Sequence, residues 1–372
     1  MENQCILTEA GNYRELGSYI QENNLRTILL VCGKFFPKLK ISRFFSDFET
    51  NGKVKIVRFD NFHPNPRYES VVEGVEIFKQ ENCDSIIAVG GGSAIDVAKC
   101  IKLYSNMRNE ENYLKQPIVP NSIKLIAVPT TAGTGSEATR YAVIYYEGEK
   151  QSVTDESCIP SAVLMDASTL RTLPEYQRKS AMMDALCHAI ESFWSIHSTH
   201  ESKQYSRQAI RSILKNITGY LKNEDFSNKE MLLASHMAGK AINIAQTTAG
   251  HAMSYKLTSL YGIAHGHAAA LCISKLWPYM ASNIDRCIDS RGKEYLIRIF
   301  EDIAMEMGCE TIEESISKYQ EIYDKLALPT PVAKAEDYII LRESVNPIRL
   351  KNNPIALESN IIDDIYHKIL DI

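Results

Sequence analysis

The sequence predicts two domains. An α/β dinucleotide-binding domain with a mostly parallel sheet (residues 1–175) is followed by an all-helical domain (residues 176–372), with a cleft between them. Three observations carry this. The chain has 372 residues, and at roughly 150 residues per domain two are expected. Its first half alternates short apolar runs with amphipathic stretches, as a parallel sheet with crossover helices requires. From Arg178 onward strand signals almost vanish and helical periodicity takes over.

In chain order, Thr27–Cys32, Val54–Phe59, Asp84–Val89, Lys124–Val128 and Ala142–Tyr146 read as strands, rich in branched aliphatic and aromatic residues. Tyr68–Glu81 and Ala94–Tyr104 lie between them with helical spacing. Beyond Thr172, helices are expected over Ala181–Ser195, Glu201–Lys222, Lys229–Thr247, Gly292–Met307 and Thr311–Ala327. Pro329, Pro331, Pro347 and Pro354 mark breaks between the last helices. No repeat or low-complexity segment interrupts the pattern.

Composition removes several function classes. Lys+Arg 41 against Asp+Glu 46 leaves a formal net charge of −5, so there is no basic footprint and no nucleic-acid partner is expected. A chain 45% hydrophobic and 23% charged is not mostly disordered. No apolar run approaches the roughly 18 residues of a membrane helix, and MENQCILTEAGNYREL lacks an apolar signal core. Nine scattered cysteines without a C-x-x-C pair point to free thiols in a reducing cytosol. A cytoplasmic protein with no membrane partner is expected.

Two loops have the chemistry to hold phosphate or ribose. Asp84–Val89 runs into Gly90, Gly91, Gly92 and Ser93, and a helix opens at Ala94. Glycines let the backbone approach an anion, and a helix N-terminus offers N–H groups and the positive end of its dipole. The pattern is neither G-x-G-x-x-G nor a Walker loop, and a tight turn would account for it equally well. The second loop, Pro129–Glu137 (PTTAGTGSE), follows the next strand with hydroxyls and backbone donors. Two such loops on successive strands favour a dinucleotide site.

Asp184 and His188 lie four apart in Met183–Trp194, on one face of a helix. His251 and His265 lie fourteen apart farther on. Neutral imidazoles with one carboxylate suit Fe²⁺ or Zn²⁺, and such an ion polarises a carbonyl or alkoxide oxygen. An Asp/His pair at this spacing is also ordinary on helix surfaces. His267 could ligate in place of His265, and local spacing leaves both open.

These residues carry a family resemblance. Gly90–Lys99 (GGGSAIDVAK), Pro129–Ile144 (PTTAGTGSEATRYAVI), Met183–Ser192 (MDALCHAIES) and His265–Ala268 (HGHA), with a closing Asn352–Pro354 (NNP), resemble the iron-containing (group III) alcohol dehydrogenases. The resemblance implies a metal in the interdomain cleft held by Asp184, His188, His251 and His265. It also implies NADH or NADPH, a small aldehyde or alcohol as substrate, and reversible hydride transfer; a homodimer is expected. Gly91, Gly92 and Ser93 then cradle the pyrophosphate, and Asn65, Asp96, Thr130, Thr131, Thr134 and Lys150 fall on positions similar to the family's cofactor contacts. Glu191–Ser202 and Thr247–Ala268 are similar to the phosphonoacetaldehyde reductase (hydroxyethylphosphonate dehydrogenase) branch, implying reduction of phosphonoacetaldehyde to 2-hydroxyethylphosphonate.

Three positions depart from the family pattern. Tyr255 stands where a second histidine often follows His251 by four residues, so it can still line the site. Asp166-Ala167 replaces an Asp-Pro. Gly33, beside Lys34, stands where NAD-selective relatives often carry an acid. Without that acid a ribose 2′-phosphate is not repelled, so NADPH is expected to be tolerated or preferred. Arg140 and Lys256 are the candidate cations for a phosphonate. The alternatives are a general short-chain alcohol or lactaldehyde dehydrogenase, a metal-dependent lyase of the dehydroquinate-synthase type, and a non-catalytic nucleotide-binding module. The lyase would need more lysines and arginines near the ligand segments, and a binding module needs no metal.

Overall fold

A computed structural model describes residues 4–52, 54–109, 111–345 and 347–370. Two compact units result, one of Met1–Thr131 and Gly135–Leu173, the other of Ala132–Thr134 and Pro174–Ile372.

The first unit contains strands β1 (Cys5–Thr8), β2 (Thr27–Cys32), β3 (Lys55–Phe59), β4 (Ser85–Gly90), β5 (Lys124–Pro129), β6 (Tyr141–Tyr146), β7 (Glu149–Thr154) and β8 (Ala162–Met165). Its helices are α1 (Ala10–Glu22), α2 (Ile41–Thr50), α3 (Tyr68–Gln80) and α4 (Gly92–Tyr104). Six strands form one sheet in the order β1-β8-β5-β4-β2-β3, and every pairing in it is parallel. β4 is buried at every position, which is why it reads as a continuous apolar run rather than an alternating one.

Ala142–Tyr146, expected among the strands of the parallel sheet, instead belongs to a separate antiparallel hairpin of β6 and β7. Its two-residue turn is Glu147-Gly148, and both adopt left-handed φ values, 52° and 80°. Such a turn reverses the chain at once, whereas a parallel partner needs a crossover. β1 and β8 have only four residues each, too few for periodicity to show.

The corner between β1 and α1 is held by a buried side chain. Gly11, Asn12 and Tyr13 all have left-handed backbones, an unusual conformation for a bulky residue. The Tyr13 hydroxyl donates to Asp166 Oδ2 at 2.8 Å just after β8, and both residues are buried. Thr169 Oγ1 donates to the Pro129 carbonyl at 2.9 Å, tying the same segment to the end of β5.

The second unit contains α5 (Glu175–Trp194), α6 (His200–Leu221), α7 (Asp225–Ala245), α8 (Ala249–Tyr261), α9 (His265–Ser282), α10 (Lys293–Glu306), α11 (Ile312–Lys325), α12 (Ala335–Glu343), α13 (Pro347–Leu350) and α14 (Ser359–Ile369). α5 is its axis. Every residue from Met182 to Trp194 is buried, so the helix is enclosed on all sides, with α6, α7 and α9 packed on it. Phe193 and Trp194 are core. The Trp194 ring stands edge-on to Trp277 at 5.7 Å and to Phe300 at 6.1 Å. Among the described residues no helix is long and apolar enough to cross a membrane.

Removing the Tyr13 hydroxyl tests the β1–β8 corner. Tyr13→Phe takes the hydroxyl donor from Asp166 Oδ2, while Oδ1 keeps the Ser168 N–H, and should cost about 1–3 kcal/mol, read as a lower urea midpoint. An unchanged midpoint would show that the hydrogen bond adds nothing.

Candidate metal centre and nucleotide loops

The sheet order reverses between β2 and β4, since β3 lies beyond one of them and β5 beyond the other. Open α/β sheets bind ligands at such a point, past the C-terminal strand ends. Gly33 follows β2 there, Gly91, Gly92 and Ser93 follow β4, and Thr130 and Thr131 follow β5. The Thr130 N–H donates to the Gly90 carbonyl at 3.0 Å, holding the last two loops side by side. A Cβ at Gly91 would stand 3.2 Å from the Thr131 side chain, whereas one at Gly33 would meet nothing within 4 Å. The first turn of α4 presents its N–H groups beside these glycines.

Asp96 and Lys99, one turn apart on α4, both turn inward. Asp96 accepts from Ser136 Oγ at 2.6 Å and from the Val143 N–H at 3.0 Å. Lys99 is fully buried and donates to the carbonyls of Thr139 and Tyr141, both at 2.7 Å. Burial raises the Asp96 carboxyl, while the positive charges of Lys99 and of Lys150 on β7 pull it down. The two residues thus fasten the loop after β5 and the hairpin onto α4. Asn65 is exposed and left-handed, φ 57°, between Pro64 and Pro66. Arg140 Nη1 donates to Glu156 at 2.6 Å, and its guanidinium lies over the Tyr141 ring. Thr134 falls in the helical unit with Ala132 and Gly133.

In that unit Asp184, His188 and His251 converge. Each offers one ligand atom, and the three atoms lie within 4.8 Å of one another. All three residues are at least nine-tenths buried. Asp184 Oδ1 stands 3.4 Å from His251 Nε2 and 4.0 Å from His188 Nε2; the two imidazoles stack, 4.4 Å between centroids. Asp184 Oδ1 and His251 Nε2 have no hydrogen-bond partner. Buried polar atoms are nearly always paired, so two orphans aimed at one point call for a cation there.

The opposite ring nitrogens are tied back. His188 Nδ1 lies 3.3 Å from the Gly133 carbonyl, and His251 Nδ1 is bonded to Glu191 Oε2. Each contact leaves Nε2 to face the cluster, as carbonyl and carboxylate partners do for metal-bound histidines. Burial pushes His188 down to about 4, so it is neutral at physiological pH. Burial works the same way on His251 but is outweighed by Glu191 and Asp184, which lift it to about 10. Burial would also raise Asp184, yet the neighbouring imidazoles hold its carboxyl below the usual carboxylate range.

Glu191 escaped the sequence reading. It is wholly buried, and one oxygen, Oε1, accepts from Thr248 Oγ1 at 2.6 Å and from the Thr248 and His251 N–H groups, both at 3.2 Å. The signal was present: Asp184, His188 and Glu191 follow at i, i+4 and i+7, one stripe of α5.

His265 opens α9 with its ring 5.3 Å from His251, and the Tyr255 ring stacks with it at 5.3 Å, six degrees from parallel. His267 points elsewhere. Its Nδ1 lies 3.1 Å from the Tyr176 hydroxyl and its Nε2 3.3 Å from that of Tyr323. Gly266 between them is dictated by packing, because a Cβ there would lie against the Ser180 carbonyl and 2.6 Å from Asp184 Cβ. Lys256 follows Tyr255 on α8, and five residues after His251 it is turned by about 140° from it.

A nucleotide-type parallel sheet with a buried carboxylate–imidazole cluster in the following helices is the equipment of a metal-dependent dehydrogenase. Comparison with known proteins agrees. The family model "Iron-containing alcohol dehydrogenase" matches residues 3–167, and "Fe-containing alcohol dehydrogenase family, C-terminal" matches residues 179–370. The chain belongs to the iron-containing alcohol dehydrogenase family, as the sequence resemblance implied, and is an enzyme. It is 30% identical to the NAD-dependent methanol dehydrogenase of Bacillus methanolicus over 282 residues, 73% of this chain and 72% of that one. With the phosphonoacetaldehyde reductase of Streptomyces viridochromogenes identity is 29% over 289 residues, 74% and 73% of the two chains. The fold is that of the sulfoacetaldehyde reductase of Bifidobacterium kashiwanohense, solved in complex with NAD+, with a TM-score of 0.87, 24% identity, and 99% and 97% of the two chains covered.

Gly266→Ala probes the packing that seats His265. The added methyl must push α9 off α5, at about 1–3 kcal/mol, and a lower melting temperature together with weaker divalent-metal binding by calorimetry should follow. Wild-type values for both would show that the approach is not tight.

Proposed function

We propose that this enzyme reduces phosphonoacetaldehyde to 2-hydroxyethylphosphonate with hydride from NADPH, using Fe²⁺ held by Asp184, His188, His251 and His265. The observation that carries the metal reading is the orphaned pair Asp184 Oδ1 and His251 Nε2, both buried and 3.4 Å apart. One carboxylate with imidazoles suits Fe²⁺ or Zn²⁺, and such an ion, when bound, supplies Lewis-acid polarisation of the carbonyl oxygen.

The chain's own residues do the rest. Glu191 and Gly133 fix the ring orientations of His251 and His188 through their Nδ1 atoms. Tyr255, stacked on His265, walls the position that an aldehyde takes beside the cluster. Gly91, Gly92, Ser93, Thr130 and Thr131 bind pyrophosphate and ribose at the switch point, and Asp96 and Lys99 keep the second of those loops in place. Asn65, Thr134 and Lys150 complete the cofactor contacts in this reading. The anionic substrate is supported by likeness to a phosphonoacetaldehyde reductase, and likeness to a methanol dehydrogenase keeps a general alcohol dehydrogenase as the rival. Metal-reconstituted protein assayed for NADPH and NADH oxidation with phosphonoacetaldehyde, propanal and lactaldehyde decides between them. A preference for phosphonoacetaldehyde supports the proposal, and a preference for propanal overturns it.

Two variants sharpen the reading. His265→Ala should lose bound iron and turnover while His267→Ala keeps its iron, measured by elemental analysis after dialysis; the reverse pattern would move the fourth ligand to His267. Gly33→Asp, which has open space for its side chain, should shift the NADPH-to-NADH ratio of kcat/KM about tenfold toward NADH, because a carboxylate accepts from a ribose 2′-hydroxyl and repels a 2′-phosphate. An unchanged ratio would mean that Gly33 does not face the ribose.

A further inference from the structure

A phosphonate brings one to two negative charges, and seating it beside a buried cluster requires a cation. The sequence offered Arg140 and Lys256. Arg140 is engaged by Glu156, and Lys256 sits away from the His251 face of α8. A third cation reaches the cluster's neighbourhood through Tyr255. Arg349, half-buried on α13, holds its guanidinium carbon 5.9 Å from the centroid of the Tyr255 ring, the ring stacked on His265.

Several contacts place it there. Arg349 Nη1 donates to Thr247 Oγ1 at 3.1 Å, immediately ahead of α8. Asn352, three residues on, donates from Nδ2 to the Thr247 carbonyl at 3.0 Å and to Gln246 Oε1 at 3.3 Å, and its own carbonyl accepts from the Ile196 N–H at 3.1 Å. Gln246 is itself held in a left-handed backbone, φ 62°, a conformation that persists only where surrounding contacts enforce it. The Asn-Asn-Pro segment therefore anchors α13 to the turn that delivers His251. Asp184 and His251 are buried, whereas His265, Tyr255 and Arg349 are all half-buried.

We infer that Arg349 is the substrate-anchoring cation, binding the phosphonate of a short aldehyde whose carbonyl end lies toward His265 and Tyr255. The inference rests on the anionic-aldehyde reading above. A guanidinium presents a planar fork of donors that matches two oxygens of a tetrahedral anion, which a lysine ammonium does not.

The test is the ratio of kcat/KM for phosphonoacetaldehyde to that for propanal, in iron-loaded wild type and Arg349→Gln. The ratio should fall at least 30-fold, chiefly through KM for the anion, with Arg349→Lys intermediate. The inhibition constant of methylphosphonate against propanal reduction should rise in parallel. If the wild type does not favour phosphonoacetaldehyde over propanal, the substrate reading fails and takes this inference with it. If the wild type does favour it and Arg349→Gln leaves the ratio and the methylphosphonate constant unchanged, the substrate reading stands and Arg349 is not the anchor. Should Arg349→Gln fail to fold, Thr247→Val, which removes the hydroxyl positioning Nη1, must lower the same ratio at least threefold; an unchanged ratio there overturns the inference.

Discussion

Asp184 puts a carboxylate oxygen in the interior of the helical unit, 3.4 Å from an imidazole nitrogen, with no hydrogen bond to either atom. An arrangement of that kind is costly unless positive charge meets it, and the surrounding structure is organised to keep it in place. Glu191 and Gly133 fix the two imidazoles from behind, so both present Nε2 to the same carboxylate. Lengthening or tilting any of these contacts would turn a ligand set into three ordinary buried polar residues.

Close backbone packing is the second requirement. Gly133 lies against Ala181, so that a Cβ would meet its carbonyl oxygen at 2.7 Å, and Gly266 lies against the turn containing Asp184. Gly250, one residue before His251, would bring a Cβ to 2.9 Å from Glu191 Oε1. Three glycines thus sit where segments bearing ligands or their partners approach α5, and any side chain there would hold those segments apart. In the nucleotide-type unit the same economy appears at Gly91 beside Thr131. There β2, β4 and β5 are buried nearly throughout and parallel, and their loops carry the chemistry.

Much of this architecture was legible because its signals are local. β2 runs from Thr27 to Cys32 as its apolar pattern indicates, and Asp184 and His188 share a face because four residues is close to one helical turn. What was not legible depends on distance in sequence. The polar strand Glu149–Thr154 pairs only because Glu147 and Gly148 turn the chain back. Glu191 reads as one more acid on a helix until the fold brings Thr248 and His251 to it. The position of Arg349 follows from Asn352 bonding to the Thr247 carbonyl, across more than a hundred residues of chain. The apolar code specifies elements; the polar contacts that aim side chains at one point are written in tertiary structure.

The central claim is that Asp184, His188, His251 and His265 hold a single divalent ion. X-ray absorption at the iron edge, on protein loaded with one equivalent of Fe²⁺ and compared with an equally treated Asp184→Asn variant, tests it most directly. The account predicts a nitrogen and oxygen shell with the multiple-scattering signature of three imidazoles in the wild type, altered or lost in the variant. A spectrum of hydrated iron without imidazole scattering, or one identical in the two proteins, would contradict it.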